Sequence, residues 1–448
     1  MLGGGNFTSQ NKVLPGTYIN FISSTGASVN LSDRGVVAMP LNLDWGPDGE
    51  VFEINASDLI KNSMKLLGYE YDSNKLKGIR DVFKNARKLY AYRLNSGVKA
   101  TVQLSAGQAN GITVTAKYSG TRGNDIKIVI ENSAENTGNF VVSTYIAKEL
   151  GGSVYTLVDK QDVANVSDLI GNDFVTFSST GTLAVNAGTS LAGGTNASEA
   201  TGTIYQSALD KFEAYSFNAL GCTSTNETIK ALFVAYTKRM RDEVGSKFQC
   251  VLYNYAADYE GIVNVKNAVT DSETGDLVYW VTGVIAGCAV NKSNTNKTYD
   301  GEFTVNVDYT QAELEDAIKS GFFILHSVNG KINVLKDINS FVTTSQEKNE
   351  SFSLNQVIRV LDQVANDIAV IFSTKYIGKI QNNQSGRISL WNDIVTFNRK
   401  LETMEAIEDF SAEDVSVEIG DNKTSVVVSN TIKPVCAMEQ IYMTVVVD

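Results

Sequence analysis

Apolar residues along this chain change spacing from one stretch to the next, and each spacing predicts a different element. In residues 56–68, Leu59, Ile60, Met64 and Leu67 recur at helical intervals, and residues 76–89 predict a second, more basic helix. Between Lys99 and Thr203 the pattern shifts to short β-branched runs at 112–116, 126–130, 140–145, 154–158 and 174–177, punctuated by Gly and Asn. Such runs read as strands, and together they predict a small all-β domain inserted into a larger unit. Residues 178–203 are rich in Gly, Ser, Thr and Ala, with Glu199 as their only charge, and read as a flexible surface loop or linker.

Helices and strands then alternate. Ile229, Leu232, Phe233, Tyr236 and Met240 share one helix face, residues 248–253 read as a buried strand, and residues 277–290 as a helix apolar on every side. Thr310 and Glu313 have the spacing of a capping box, in which each side chain satisfies an orphan amide of the first turn. That helix is expected to stop near Gly321, where a strand over 322–328 begins. The alternation predicts a layered α/β core. Further on, Leu354, Val357, Ile358, Leu361, Val364, Ile368 and Ile371 hold a helical stripe, a second helix covers 387–404, and strands follow at 415–419, 424–429 and 440–447.

The last of these alternates throughout, with Ile441, Met443, Val445 and Val447 on one face and Tyr442, Thr444 and Val446 on the other. Chain termini fray unless something pairs with them. A strand apolar on both faces expects a sheet that covers both sides. The receiving sheet is either the chain's own or that of a neighbouring copy, to which a donated strand adds main-chain hydrogen bonds.

At 448 residues the chain has room for several domains of roughly 150 residues. Its 43% hydrophobic and 20% charged residues exclude a disordered polymer. Thirty-eight basic against 50 acidic residues leave a net charge of −12, which argues against nucleic acid as a partner, because such binding rests on neutralising phosphates. Proteins are the expected partners. Cys222, Cys250, Cys288 and Cys436 form neither a C-x-x-C pair nor a His/Cys cluster, so no metal site or disulfide framework is read from them, and buried free thiols are expected. The uncharged stretch 277–291 falls short of the roughly 20 residues of a membrane span. Residues 1–12 lack the basic and apolar regions of a secretory signal, so a reducing cytoplasm is the expected compartment.

Catalytic chemistry has little to stand on. The single histidine, His326, sits in an apolar run, where packing is a commoner fate than general-base work. The segment from Gly188 through Ser190 to Ala192 resembles the stretch around the subtilisin nucleophile, but Ser190 precedes His326 and is followed by Gly193 and Gly194 instead of a helix. Gly330 and Lys331 lack the rest of a phosphate-binding loop, and neither G-x-G-x-x-G nor H-E-x-x-H occurs. The carboxylate pairs Glu313 with Glu315 and Glu413 with Asp414 lie in polar contexts that suit caps or solvated faces. No catalytic residue, cofactor site or metal site is therefore assigned.

A family resemblance gathers these pieces. Ala116-Lys117-Tyr118-Ser119-Gly120-Thr121-Arg122-Gly123-Asn124-Asp125 resembles the AKYPGTRGND signature of contractile tail sheath proteins of bacteriophages and phage-like particles such as R-type bacteriocins, with Ser119 in place of the usual proline. Residues 11–21 resemble the sheath N-terminal arm, and residues 435–447 are similar to the sheath C-terminal strand. The resemblance implies an α/β, α+β multidomain chain. In this reading an N-terminal arm covers 1–20, a layered subtilisin-like core without protease activity covers 21–98 and 204–345, and an inserted β domain covers 99–203. A C-terminal α+β domain covers 346–430 and an arm strand 431–448. It further implies a structural, non-enzymatic subunit that polymerises as six-fold rings or helices around an inner tube in a metastable extended state, then contracts to drive the tube through a bacterial envelope. The implied partners are other copies, the inner tube protein, and baseplate and tail-terminator proteins, without nucleic acid or direct membrane insertion. The subunit would assemble in the bacterial cytoplasm and be found in a virion tail or released particle. Val13, Leu14, Tyr18, Ile19 and Phe21 are the expected N-terminal intersubunit residues, and Ile441, Tyr442, Met443, Thr444, Val445, Val446 and Val447 the C-terminal ones. Arg387, Arg399 and Lys400 are candidates to face the tube. A self-assembling surface-array or adhesin protein and, less well, a hydrolase-type enzyme are the alternatives.

Overall fold

The computed structural model describes residues 4–5, 17–18, 31–104, 111–198 and 200–447. Among them the helices are α1 Ala56–Leu67, α2 Lys77–Phe83, α3 Gly202–Phe212, α4 Glu227–Lys238, α5 Leu277–Gly287, α6 Gln311–Lys319, α7 Asn355–Ile371 and α8 Gln384–Thr403. The largest sheet has seven strands in the order Phe322–Phe323, Ile262–Val265, Gln249–Tyr253, Ala219–Cys222, Val36–Leu41, Lys88–Arg93 and Val51–Asn55. Every neighbouring pair is parallel except the last, which is antiparallel. Parallel strands need crossovers over the sheet faces and are therefore buried on both sides. Val36–Leu41 shows this: all six residues are buried, with Val37, Met39 and Leu41 in one apolar layer under α1, α2 and α5, and Val36 and Ala38 in the other under α3 and α4.

Helix α5 realises the all-apolar pattern read from the sequence, with Trp280 fully buried and its indole N–H donating to Asp300 at 2.7 Å. Close approach to α2 explains its glycines. A Cβ on Gly283 would sit 2.4 Å from the Val82 carbonyl oxygen, and one on Gly287 2.0 Å from that of Asn85. Arg34 closes the far end by donating to the carbonyls of Ile285 and Cys288, which the helix cannot satisfy itself. The capping box of Thr310 and Glu313 opens α6, and Gly321 follows that helix at φ +74°, a conformation that costs glycine little. Among the described residues no helix is long and apolar enough to cross a membrane.

Residues 101–190 form two further sheets around a shared core that includes Ile112, Val114, Ile126, Ile128, Ile130 and Val142. One has the order Tyr155–Val163, Phe140–Ala147, Ile126–Asn132 and Asn186–Ser190, and the other Val175–Phe177, Ile112–Ala116 and Thr101–Leu104. The final third packs α7 and α8 against the hairpin of Val415–Ile419 and Val426–Asn430 and the short pair Ile407–Glu408 with Lys433–Pro434. The whole is a mixed α/β, multidomain chain.

Five expectations change. Of the four cysteines expected to be buried, only Cys222 and Cys250 are, whereas Cys288 is half-buried at the end of α5 and Cys436 is exposed on the C-terminal segment. The helix expected to reach residue 89 ends at Phe83, and Lys88–Arg93 is a sheet strand whose Leu89 and Ala91 are fully buried. The stretch 178–203 is no free linker, since Asn186–Ser190 pairs with Ile126–Asn132, Ala192 bridges Thr101, Thr195 bridges Val98, and α3 begins at Gly202. Backbone pairing needs no apolar side chain, so an edge strand can hide in a low-complexity sequence. The run 322–328 divides between Phe322–Phe323 in the large sheet and Leu325–Val328, which pairs with Lys331–Val334. Residues 440–447 have no strand partner within the described chain. Near the N-terminus, Gly4–Gly5 pairs in parallel with Thr17–Tyr18. Tyr18 is described in its backbone alone, and Val13, Leu14, Ile19 and Phe21 lie outside the described residues.

Candidate functional site

The C-terminal segment is held up to Glu439 and then released. The Val435 N–H donates to the Ala406 carbonyl at 3.0 Å, and the Ala437 N–H to Gln356 Oε1 at 3.0 Å. Glu439 Oε1 accepts the Thr295 hydroxyl at 2.7 Å, and its second oxygen lies 3.7 Å from the Lys336 ammonium. Beyond it, Ile441, Tyr442, Met443, Val445, Val446 and Val447 are 71 to 89% exposed. Thr444 is exposed among them. Soluble chains seldom leave so many neighbouring apolar side chains in water.

The same part of the fold offers places to receive a strand. The hairpin Val415–Ile419 with Val426–Asn430 has no third strand on either edge among the described residues, and its Ile419 and Val427 side chains stand largely in solvent. An open groove of about 650 Å³ runs along Val415–Ile419 and is walled by Gln384, Arg387, Ile388 and Trp391 of α8. A second groove, of about 420 Å³, lies by Ile377, Ile380, Leu390 and Val426. Unpaired edges of this kind accept extended segments by main-chain pairing.

The sequence signature around Arg122 has a different task, which is to fasten the β sheets to the large sheet. Arg122 is fully buried; it donates to the Gly68 carbonyl at 2.6 Å, to Asp125 at 2.8 Å, to the Lys148 carbonyl at 3.2 Å and to the Ala147 carbonyl, with its guanidinium 4.5 Å over the Tyr69 ring. Asn124 exchanges two hydrogen bonds with the Gly194 backbone, and Tyr118 packs edge-on against the buried Trp45. Gly120, at φ +120°, brings its backbone so near that a Cβ would lie 2.2 Å from the Asp44 carbonyl oxygen. Ser119, the departure from the family pattern, donates its hydroxyl to Asp48 at 2.9 Å and accepts the Gly97 N–H at 3.1 Å. Sequence reading missed the partner of this motif, Arg93, which is buried at the end of its strand and binds the Ser119 carbonyl, Asp48 and Asn196. A charged residue ending the apolar strand Lys88–Arg93 was the available signal.

Helix α7 carries a second buried polar set opposite its apolar stripe. Arg359 pairs with Asp337 at 3.1 Å, Asp362 receives both Arg241 guanidinium nitrogens at 2.7 and 2.8 Å, and Asp367 accepts the Ser32 hydroxyl at 2.6 Å. Burial and the nearby Arg359 charge push the Arg34 pKa down to about 10. It stays charged at neutral pH.

The tube-facing candidates do not form one patch. Arg387 lies in the first turn of α8 and donates to Asn382, whereas Arg399 and Lys400 lie near its end, roughly 18 Å away along the axis. Arg399 is exposed and Lys400 half-buried. His326 stands opposite Asn333 in a hairpin, its pKa lowered by burial, and Ser190 is in a different sheet beside Lys127. Among the described residues no group of three His, Cys, Asp or Glu could hold a metal ion.

Four family models match in chain order. They are the tail sheath protein Gp18 domain III N-terminal region over residues 34–94, the phage tail sheath protein beta-sandwich domain over 95–196, the phage tail sheath protein central domain over 198–340, and the phage tail sheath C-terminal domain over 347–448. The phage-like element PBSX protein XkdK of Bacillus subtilis (strain 168) is 32% identical over 481 residues, with 100% of each chain covered. The sheath tail protein of Desulfitobacterium hafniense superposes with a TM-score of 0.80 at 36% identity, covering 96% of this chain and 99% of that one. The helical sheath of the anti-feeding prophage in its contracted state shares the fold, with a TM-score of 0.55 at 12% identity, covering 98% and 100%. Matched domains along the chain and relatives above 30% identity over nearly all of it establish that this chain belongs to the phage tail sheath protein family.

Proposed function

We propose that this chain, a structural subunit of a contractile tail sheath, polymerises by lending residues 441–447 to a neighbouring copy, with Val13, Leu14, Tyr18, Ile19 and Phe21 in the N-terminal counterpart. One observation carries the reading: a segment apolar on both faces stands in solvent with no partner strand among the described residues, while the hairpin of the same chain has edges unpaired among them. Main-chain pairing between copies survives rigid-body rotation of the subunits, because only the linkers need to bend. The reading includes a subtilisin-like core without catalysis, assembly in the bacterial cytoplasm around an inner tube, and contact with baseplate and tail-terminator proteins.

Such a sheath works without nucleotide if assembly leaves it in a state separated from a more stable one by a kinetic barrier. If contraction buried about 1,000 Å² more apolar surface per subunit, the gross gain would be on the order of 25 kcal/mol before side-chain ordering and polar desolvation are subtracted. A fraction of that, repeated along a tail, drives a tube through an envelope.

The test is assembly of the purified chain, alone and on preformed inner tubes, followed in negative stain. Sheaths are expected on the tubes, and a chain that stays monomeric under both conditions would contradict the reading. Replacing Arg387, Arg399 and Lys400 together by Glu is expected to cut tube-templated assembly at least tenfold at low salt, with the loss shrinking as screening rises. Unchanged templating would remove these residues from the tube interface.

A further inference from the structure

The arm begins at a built joint. Thr295, which donates its hydroxyl to Glu439, accepts the Asp337 N–H at 3.0 Å, and the Asp337 carboxylate is held by Arg359 at 3.1 Å and by the Asn355 amide at 2.9 Å, both on α7. Lys336, beside Asp337 in sequence, faces the other Glu439 oxygen at 3.7 Å. Arg359 and Asp337 are almost completely buried, so the socket for Glu439 rests on a rigid base. The backbone two residues earlier is tied as well, by the Ala437 N–H on Gln356. The free strand therefore departs from a fixed point in a fixed direction.

Strand geometry gives that point a consequence. Side chains alternate faces with a period of two, so a slip of one residue turns every side chain to the opposite face. Glu439 has the same parity as Ile441, Met443, Val445 and Val447. Holding it decides that this set, and not Tyr442, Thr444 and Val446, meets a given side of the receiving hairpin. It also limits the volume the arm explores, which raises its effective concentration at the neighbour.

We propose that Glu439, seated on Thr295 and Lys336, is the positioning residue that sets the register of the donated C-terminal strand. This rests on the donation reading above and adds to it a division of the segment, with 435–439 staying on their own subunit and 440–447 crossing over.

The experiment compares critical concentrations for sheath assembly by sedimentation in four full-length proteins: the natural chain, Glu439→Ala, a chain with one Ala inserted after residue 439, and the combination. Glu439→Ala is expected to raise the critical concentration about threefold to tenfold, consistent with loss of a charge-assisted hydrogen bond, and to leave the melting temperature unchanged. Glu439→Gln, which keeps an acceptor for Thr295, is expected to recover part of the loss. In the natural background the insertion is expected to raise the critical concentration more than tenfold, because it forces the wrong faces onto the partner. Without the clip the strand can slip back, so the same insertion in Glu439→Ala should add less than twofold. Assembly of Glu439→Ala at the natural concentration, or an insertion penalty equal in both backgrounds, would overturn the proposal. A chain lacking 440–448 that assembles normally would instead overturn strand donation itself.

Discussion

Removing residues 440–448 is expected to leave a folded chain that no longer assembles. The apolar side chains of Ile441, Tyr442, Met443, Val445, Val446 and Val447 are mostly in solvent and contribute little to their own core, so thermal unfolding followed by circular dichroism should be unchanged within the small effects usual for surface residues. In the lattice the account is different. Burying large apolar side chains is worth roughly 1.5–3 kcal/mol each. Fixing the backbone of each arm residue costs about 1–2 kcal/mol. The surplus per arm is a few kcal/mol, and with the main-chain pairing its loss corresponds to at least about a hundredfold in association per contact. If each subunit both donates and receives, as proposed, the deficit recurs at every joint. Electron micrographs of the truncated chain should show monomers or small aggregates where the full chain gives sheaths; long sheaths would mean that the segment is not an intersubunit strand.

The second large effect concerns stability. Arg122→Ala is expected to destabilise the chain by about 3–5 kcal/mol, the range for removing one partner of a buried ion pair. Asp125, itself nearly buried, would lose its charge partner, although it would still accept the Gly151 N–H. The carbonyls of Gly68, Ala147 and Lys148 would lose a shared donor, and Tyr69 the cation over its ring. Arg122→Lys should recover little, because an ammonium cannot reproduce the planar fork that reaches these acceptors. Urea unfolding monitored by tryptophan fluorescence, to which Trp45, Trp280 and Trp391 all contribute, and by far-ultraviolet dichroism should separate into two transitions, with the β sheets released first. A single transition at the natural midpoint would show that the motif does not fasten the two parts together.

Legibility in the sequence followed the physics of each element. Thr310 with Glu313, the apolar stripe of α7 and the all-apolar α5 could be read directly because each depends on local spacing. Lys88 and Leu89 were read into the preceding helix and residues 90–93 went unassigned, because a strand buried on both faces loses the alternation that marks a strand. Asn186–Ser190 was invisible for the opposite reason, since its pairing uses backbone and its side chains are small. The polar face of α7 escaped notice because Arg359, Asp362 and Asp367 look like solvent-facing charges until partners far away in sequence, Asp337, Arg241 and Ser32, are placed against them. The same applies to the arm. Its alternation was plain, but whether a chain's own sheet or a neighbour's receives it is a fact of the whole fold. The joint at Glu439 depends on Thr295, 144 positions away.

The most direct measurement is an electron cryomicroscopy reconstruction of the assembled sheath at a resolution that traces main chain. The account predicts residues 441–447 as a strand on the Val415–Ile419 or Val426–Asn430 edge of an adjacent subunit, with Glu439 still seated on its own Thr295. Density showing the same residues folded back along their own hairpin, with no chain crossing between subunits, would contradict it.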